Sequence, residues 1–144
     1  MAIADLSSVL KIFGETSLSA EEQKKLYGEV LMMVLARAAS SDANVHPVEI
    51  QTIQKIVQRE TGEDVKESDI RLAARPELYE SVPMRKYLRS VQRRLNADDR
   101  LRVVQSLAEV IKSDTEISVL EVDFFNRVSD ALRITPAELA GLQS

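Results

Sequence analysis

Cysteine is absent from this 144-residue sequence, and histidine occurs once, as His46. Without cysteine, disulfides, thiolate metal sites and cysteine nucleophiles are excluded. A single histidine excludes a histidine-rich zinc centre and a two-histidine relay. Only four glycines are present, and because they are not clustered they cannot form a glycine-rich phosphate loop. These absences remove most routes to catalysis, and we interpret the chain as not an enzyme.

Long apolar runs are also missing. No stretch approaches the roughly 20 apolar residues that a membrane-spanning helix needs, and the first residues lack the basic segment of a secretion signal. Hydrophobic residues make up 44% of the sequence and charged residues 29%, which is typical of a globular domain. The length suits one domain with its own core. We therefore expect a cytoplasmic protein.

Charge is unevenly distributed along the chain. The net charge is −4, which argues against nucleic acid as the default partner. The segment from Arg71 to Arg102, however, contains nine Lys or Arg residues and only four Asp or Glu residues. This segment is therefore a basic island in an otherwise acidic chain.

Apolar residues recur at the helical period almost throughout, and no segment sustains the alternation of a strand. Helix starts are marked by capping boxes, as at Ser19–Glu22, Ser118–Glu121 and Thr135–Glu138. The sequence predicts an all-α fold, a single domain of seven to eight helices. An N-terminal helix and connection are expected over residues 1–18, followed by a helical domain over residues 19–144.

The sequence also repeats itself at a spacing of 72 residues. Leu35–Ile56 aligns with Leu107–Val128, and five of the 22 positions are identical. In each copy an apolar helix ends in Ser-Asp, a short loop contains one apolar residue, and a capped helix with Glu at its third position follows. This repeat predicts two similar helix-hairpin halves, packed about a pseudo-twofold axis.

On these motifs the chain resembles the tellurite-resistance TerB family, including the broader TerB-like domains, over roughly residues 21–142. That family has an all-α fold of two similar halves, each with Ala-Asp-Gly, an apolar residue and a Glu a few positions later. Here Ser41-Asp42-Ala43 and Ser113-Asp114-Thr115 stand in its place, so both halves lack the glycine. The resemblance implies a non-enzymatic binding module with a role in metal, tellurite or stress response.

Oxygen-bearing side chains lie at relative positions 1, 3 and 8 of each half: Asp42, Asn44 and Glu49, then Asp114, Glu116 and Glu121. Ca²⁺ and Mg²⁺ prefer oxygen ligands, and Ca²⁺ takes six to eight, so carbonyls, waters or the other half must complete a shell. The resemblance to TerB implies divalent-cation binding by Asp42, Glu49, Asp114 and Glu121, with Asn44 and Glu116 in support. A structural alternative stays open, because first-turn glutamates and turn aspartates also bond backbone amides.

A basic helix lies opposite an apolar stripe in the segment after Pro83. Its basic residues are Arg85, Lys86, Arg89, Arg93 and Arg94. This face suits anionic lipid or an acidic partner, or it is simply solvated. Because it carries no aromatic side chain for base stacking, nucleic acid is not expected.

Two functions of different classes follow from the sequence. The first is a TerB-like module that binds divalent cations. The second is a structural or protein–protein interaction domain with no ion ligand. A protein partner is expected in both cases, with weak, salt-sensitive membrane association as a further option, and the oligomeric state is open. His46, next to Pro47, is a candidate cation ligand or pH switch, or merely a residue at a helix start.

Overall fold

The computed structural model describes residues 19–39, 47–74, 83–113 and 117–142. These residues form seven helices and no strand: α1 (Ala20–Ala39), α2 (Pro47–Thr61), α3 (Glu67–Ala73), α4 (Met84–Val91), α5 (Ala97–Lys112), α6 (Val119–Ala131) and α7 (Pro136–Leu139). The all-α prediction is confirmed. The helix expected within residues 1–18 lies outside the described residues, and the division at residue 19 stays a prediction.

Helix α1 forms the centre of the core. It packs against α2, α3 and α5, and Val30, Leu31, Val34 and Leu35 are fully buried. The sequence predicted this burial, because residues 30–39 are apolar on nearly every side and such a helix has no face suited to water. Arg37, the exception in that run, is half-buried.

Helix α5 organises the second part of the core. Val103, Val104, Leu107 and Val110 lie on its buried face, and α5 contacts α1, α2 and α6. Helix α4 packs on α6. In the described part of the chain, no helix combines the length and apolar character needed to cross a lipid bilayer.

Helix ends follow the local sequence. The backbone amide of Glu22 donates to Oγ of Ser19 over 3.2 Å, and Oε1 of Glu22 accepts from the amide of Ser19 over 3.1 Å. Thr135 and Glu138 form the same reciprocal pair at the start of α7. Gly62 follows α2 with a φ of 77°, a left-handed conformation that glycine adopts without a steric penalty.

Helix α4 is shorter than its apolar stripe. The stripe runs to Leu95, but the regular helix ends at Val91. Residues 92–95 continue as a turn in which the amides of Arg94 and Leu95 both donate to the carbonyl of Val91. Leu95 is nevertheless only 3% exposed, so the stripe correctly marked the buried side.

The two repeat segments share an order of elements. Residues 35–56 and 107–128 each contain the end of a long helix followed by the start of another. Ile56 and its repeat equivalent Val128 are both buried, whereas Ile50 is 1% exposed and its equivalent Val122 is 48% exposed. The superposition of the two halves about a pseudo-twofold axis stays a prediction.

Candidate functional site

Two glutamates occupy the third position of repeat-related helices. Glu49 is the third residue of α2 and Glu121 the third residue of α6. Their exposures are 2% and 4%, and they are the two buried carboxylates of the described residues. Charged side chains are seldom buried unless hydrogen bonds or opposite charges compensate the loss of hydration. The pair is therefore the first feature that a function must explain.

The carboxylate of Glu121 has a defined backbone partner. Its Oε1 accepts a 3.0 Å hydrogen bond from the amide of Ser118, and Oγ of Ser118 accepts a 3.1 Å bond from the amide of Glu121. This reciprocal pair confirms the capping box predicted from the sequence. A carboxylate near a helix N-terminus also interacts favourably with the helix dipole.

The other predicted ligands cannot be placed against these glutamates. Asp42, Asn44, Asp114 and Glu116 lie outside the described residues, and so does His46. Among the residues that are described, no three His, Cys, Asp or Glu side chains are grouped to hold a metal ion. Cation binding by the two loops therefore remains a prediction.

The predicted basic helix is α4. Tyr87, Leu88 and Val91 are buried on its inner side, while the side chains of Arg85 and Arg89 are 62% and 57% exposed. The separation of an apolar and a basic face, expected from the spacing, is confirmed within α4. Arg93 and Arg94, expected on the same helix, instead lie in the turn after it, and Arg94 is half-buried.

Arginines from other parts of the chain extend this basic surface. A cavity of about 500 Å³ is lined by Arg37 of α1, Arg85 of α4 and Arg127 of α6. A neighbouring cavity of about 700 Å³ is lined by Arg89 and Arg133. Both cavities lie where α4 packs on α6.

We call the five arginines of this junction, Arg37, Arg85, Arg89, Arg127 and Arg133, the basic seam. Only Arg85 and Arg89 could be grouped from the sequence, because they are one helical turn apart. No spacing pattern relates them to position 37 or to positions 127 and 133. Only the packing of the helices brings the five residues to one surface.

In a comparison with protein families, residues 29–144 match the family described as tellurite resistance protein TerB. Comparisons with curated proteins and with solved structures found no match. The match covers most of the chain and includes both repeat segments and six of the seven described helices in full. Together with the all-helical fold, it shows that this chain belongs to the TerB family.

Proposed function

We propose that this TerB-family chain is a non-enzymatic binding module that holds a divalent cation, Ca²⁺ or Mg²⁺, at its acidic loops. TerB domains are in general non-enzymatic helical domains. The observation that supports cation binding is the burial of Glu49 and Glu121 at the same position of two repeat-related helices. A cation at the acidic loops would add an attraction to each of these buried carboxylates, beside the protein contacts that they already make.

The ligand set of the proposal is symmetric. Asp42 and Glu49 would bind in the first half, with support from Asn44. Asp114 and Glu121 would bind in the second half, with support from Glu116, and carbonyls and waters would complete each shell. The capping role of Glu121 is compatible with this arrangement, because a carboxylate offers about four lone-pair sites and the amide of Ser118 uses one of them.

The second candidate function is a protein–protein interaction domain with no ion ligand. The observation in its favour is the complete capping box of Ser118 and Glu121, which accounts for that glutamate without any metal. In this reading Glu49 and Glu121 only stabilise helix starts. The two candidates therefore differ in their response to added cation. It should raise the free energy of unfolding of a cation-binding module and leave that of an interaction domain unchanged.

Calorimetric titration and thermal unfolding with Ca²⁺ and Mg²⁺ separate the two functions. A ligand that binds only the native state at about 100 times Kd adds roughly 2.7 kcal/mol, which corresponds to a rise in melting temperature of roughly 5 to 15 °C for a domain of this size. The double variant Asp42→Asn, Asp114→Asn should lose this rise, because asparagine keeps the turn geometry but not the charge.

The matched control is Asp64→Asn, an exposed aspartate between α2 and α3, which should keep the full response to cation. A melting temperature that does not change with either ion, together with a flat titration, would contradict the proposal and support the interaction domain. An equal loss of response in the control would indicate non-specific charge binding.

We further propose that the module acts in the cytoplasm, in the metal, tellurite or stress response that the family description suggests. Loss of the chain should then raise the sensitivity of its host to tellurite. Expression of the wild-type chain should restore growth, and expression of the Asp42→Asn, Asp114→Asn variant should not. Equal growth with and without the chain, across tellurite concentrations, would contradict this role.

A further inference from the structure

The charge of the basic seam is only partly neutralised by nearby carboxylates. Arg127 pairs with Asp123, one helical turn away, over 2.9 Å. Asp130 lies 3.9 Å from Arg85 and 3.8 Å from Arg89, so it is shared between two guanidinium groups. Asp130 is also the single carboxylate among the described residues that line the two cavities. Because one negative charge cannot neutralise two positive ones, Arg85 and Arg89 retain the capacity to bind a further anionic group.

Apolar side chains, which we call the apolar floor, line the smaller cavity together with its three arginines. Leu88 and Val128 are each 1% exposed at its base, and the half-buried Met84 and Phe124 line it as well. Leu120, one helical turn before Phe124, is 56% exposed and lies on the same side of α6. The floor therefore continues as an apolar stripe beyond the arginines.

Arg133 adds a backbone observation. It follows α6 with a φ of 57°, and it is the one residue other than glycine with a positive φ in the described chain. A left-handed residue with a side chain costs free energy that glycine would avoid, and the residue that follows α2 is indeed a glycine, Gly62. Arg133 thus has a strained backbone and lines the larger cavity of the seam. Backbone strain of this kind is expected where a side chain serves binding.

We propose that the basic seam binds an acidic segment of a protein partner, with apolar side chains of that segment on the floor formed by Met84, Leu88, Phe124 and Val128. The planar guanidinium group pairs bidentately with carboxylates. The apolar floor beside these arginines suits a segment that alternates acidic and apolar residues. The proposal does not depend on cation binding by the acidic loops.

Lipid and nucleic acid fit this surface less well. Asp130 is 70% exposed in the middle of the seam, where it would repel a dense layer of phosphates. Separate carboxylates can instead lie on either side of it. The two cavities, of about 500 and 700 Å³, are also larger than single side chains, which suits a short chain segment.

A selection of random 12-residue peptides displayed on phage, with the full chain as target, tests the proposal. Recovered peptides should be enriched in Asp and Glu with apolar residues between them. A synthetic, labelled copy of the strongest peptide should bind the wild-type chain at 150 mM salt, and at least about tenfold more weakly to the double variant Arg85→Glu, Arg89→Glu. Phe124→Ser should weaken binding as well. The size of this loss should depend less on salt concentration than the loss in the Arg85→Glu, Arg89→Glu variant.

Two controls separate specific docking from general charge effects and from misfolding. The variant Lys66→Glu, Arg71→Glu has the same change in net charge at exposed positions of the Lys66–Ala73 region and should bind the peptide as the wild type does. A peptide with Lys in place of its acidic residues should bind the Arg85→Glu, Arg89→Glu variant better than the wild type. A variant damaged only in its fold would not show this reversal.

Three results would overturn the proposal. One is a selection without enrichment of acidic residues. A second is an equal loss of affinity in the seam variant and in the control. The third is binding to phosphatidylglycerol vesicles, lost in the seam variant, by a chain that binds no acidic peptide; this would assign the surface to lipid.

Discussion

The hydroxyl of Tyr27 donates a 2.6 Å hydrogen bond to Oε1 of Glu60, and this bond joins α1 to α2. Burial, followed by the bond to Glu60, raises the pKa of Tyr27 well above its ordinary value, so the phenol remains a donor at neutral pH. Arg59 bonds the second oxygen of Glu60 over 3.1 Å and also pairs with Glu109 of α5 over 3.2 Å. One tyrosine and its neighbours thus connect three helices of the core.

Replacing Tyr27 with Phe should destabilise the protein by about 1 to 3 kcal/mol, because a buried hydrogen bond to a charged acceptor is lost. The carboxylate of Glu60 then has one hydrogen bond fewer to compensate its burial. Chemical unfolding in urea at pH 7 measures the change.

Tyr87→Phe is the matched control. Tyr87 is 7% exposed, and in the described structure its hydroxyl has no hydrogen-bond partner, so its removal should be neutral or stabilising. A larger loss for Tyr87→Phe than for Tyr27→Phe would contradict this account.

The core should depend equally on the two repeat-related leucines. Leu35 and Leu107 are both 0% exposed, so Leu35→Ala and Leu107→Ala should each cost about 2 to 5 kcal/mol through lost burial and the cavity left behind. Leu142, which is 74% exposed, provides the control, and Leu142→Ala should change stability by less than about 0.5 kcal/mol. Urea unfolding of the three variants tests the set, and a small effect at either buried leucine would be inconsistent with this core.

Because the backbone of Arg133 is strained, replacing this residue with glycine should raise the stability of the protein and weaken its binding of the acidic peptide. Arg133→Gly should stabilise the protein by about 0.5 to 1 kcal/mol, because glycine adopts positive φ freely. The same variant should bind the acidic peptide more weakly, since a seam arginine is removed. Melting temperature and peptide affinity, measured on one preparation, should move in opposite directions.

Gly62→Ala is the reciprocal test of backbone strain. No heavy atom lies within 4 Å of a Cβ built at Gly62, so crowding is not an obstacle. The φ of 77° alone should make this variant about 1 kcal/mol less stable. A neutral Gly62→Ala, or an Arg133→Gly that loses stability, would show that positive φ is not the controlling factor.

Two glutamates should affect the pH dependence of stability in opposite directions. Burial works to raise the pKa of Glu60, but the hydrogen bonds from Tyr27 and Arg59 outweigh it and hold the pKa below its ordinary value. Glu60 therefore contributes stability that is present above its unfolded pKa, about 4.3, and is lost as the pH falls through its folded pKa. Glu60→Gln should destabilise the protein at pH 7, and the difference from wild type should narrow at pH 3.

Burial raises the pKa of Glu29, and its Oε2 is buried without a hydrogen-bond partner in the described structure. Glu29 therefore contributes stability that is present below its unfolded pKa and is lost as the pH rises through its folded pKa. Glu29→Gln should therefore stabilise the protein at pH 7 and have little effect at pH 3. Urea titrations of both glutamine variants at the two pH values check the signs, and a Glu29→Gln that is less stable at pH 7 would contradict them.

Part of the candidate site could be predicted from the sequence, and part could not. The capping box of Ser118 and Glu121 was predictable, because it depends on residues three positions apart and on the geometry of a helix start. The burial of Glu49 could not be predicted from the same rule, since first-turn glutamates are usually exposed. It depends on how α2 lies against the rest of the core. The positions of Asp42 and Asp114 lie outside the described residues, so their part in the site remains a prediction.

The sequence by itself determined the helical class, most helix ends and the inner faces, and its repeat and loop motifs pointed to the family that residues 29–144 match. These properties depend on periodicity and on contacts within about four residues, which the local sequence specifies. Only the tertiary structure decided the basic seam and the bond from Tyr27 to Glu60. Their members are far apart in the chain, and they meet because α4 packs on α6 and α1 packs on α2 to bury their apolar faces. Long-range packing of this kind is cooperative over the whole core, so no local pattern specifies it.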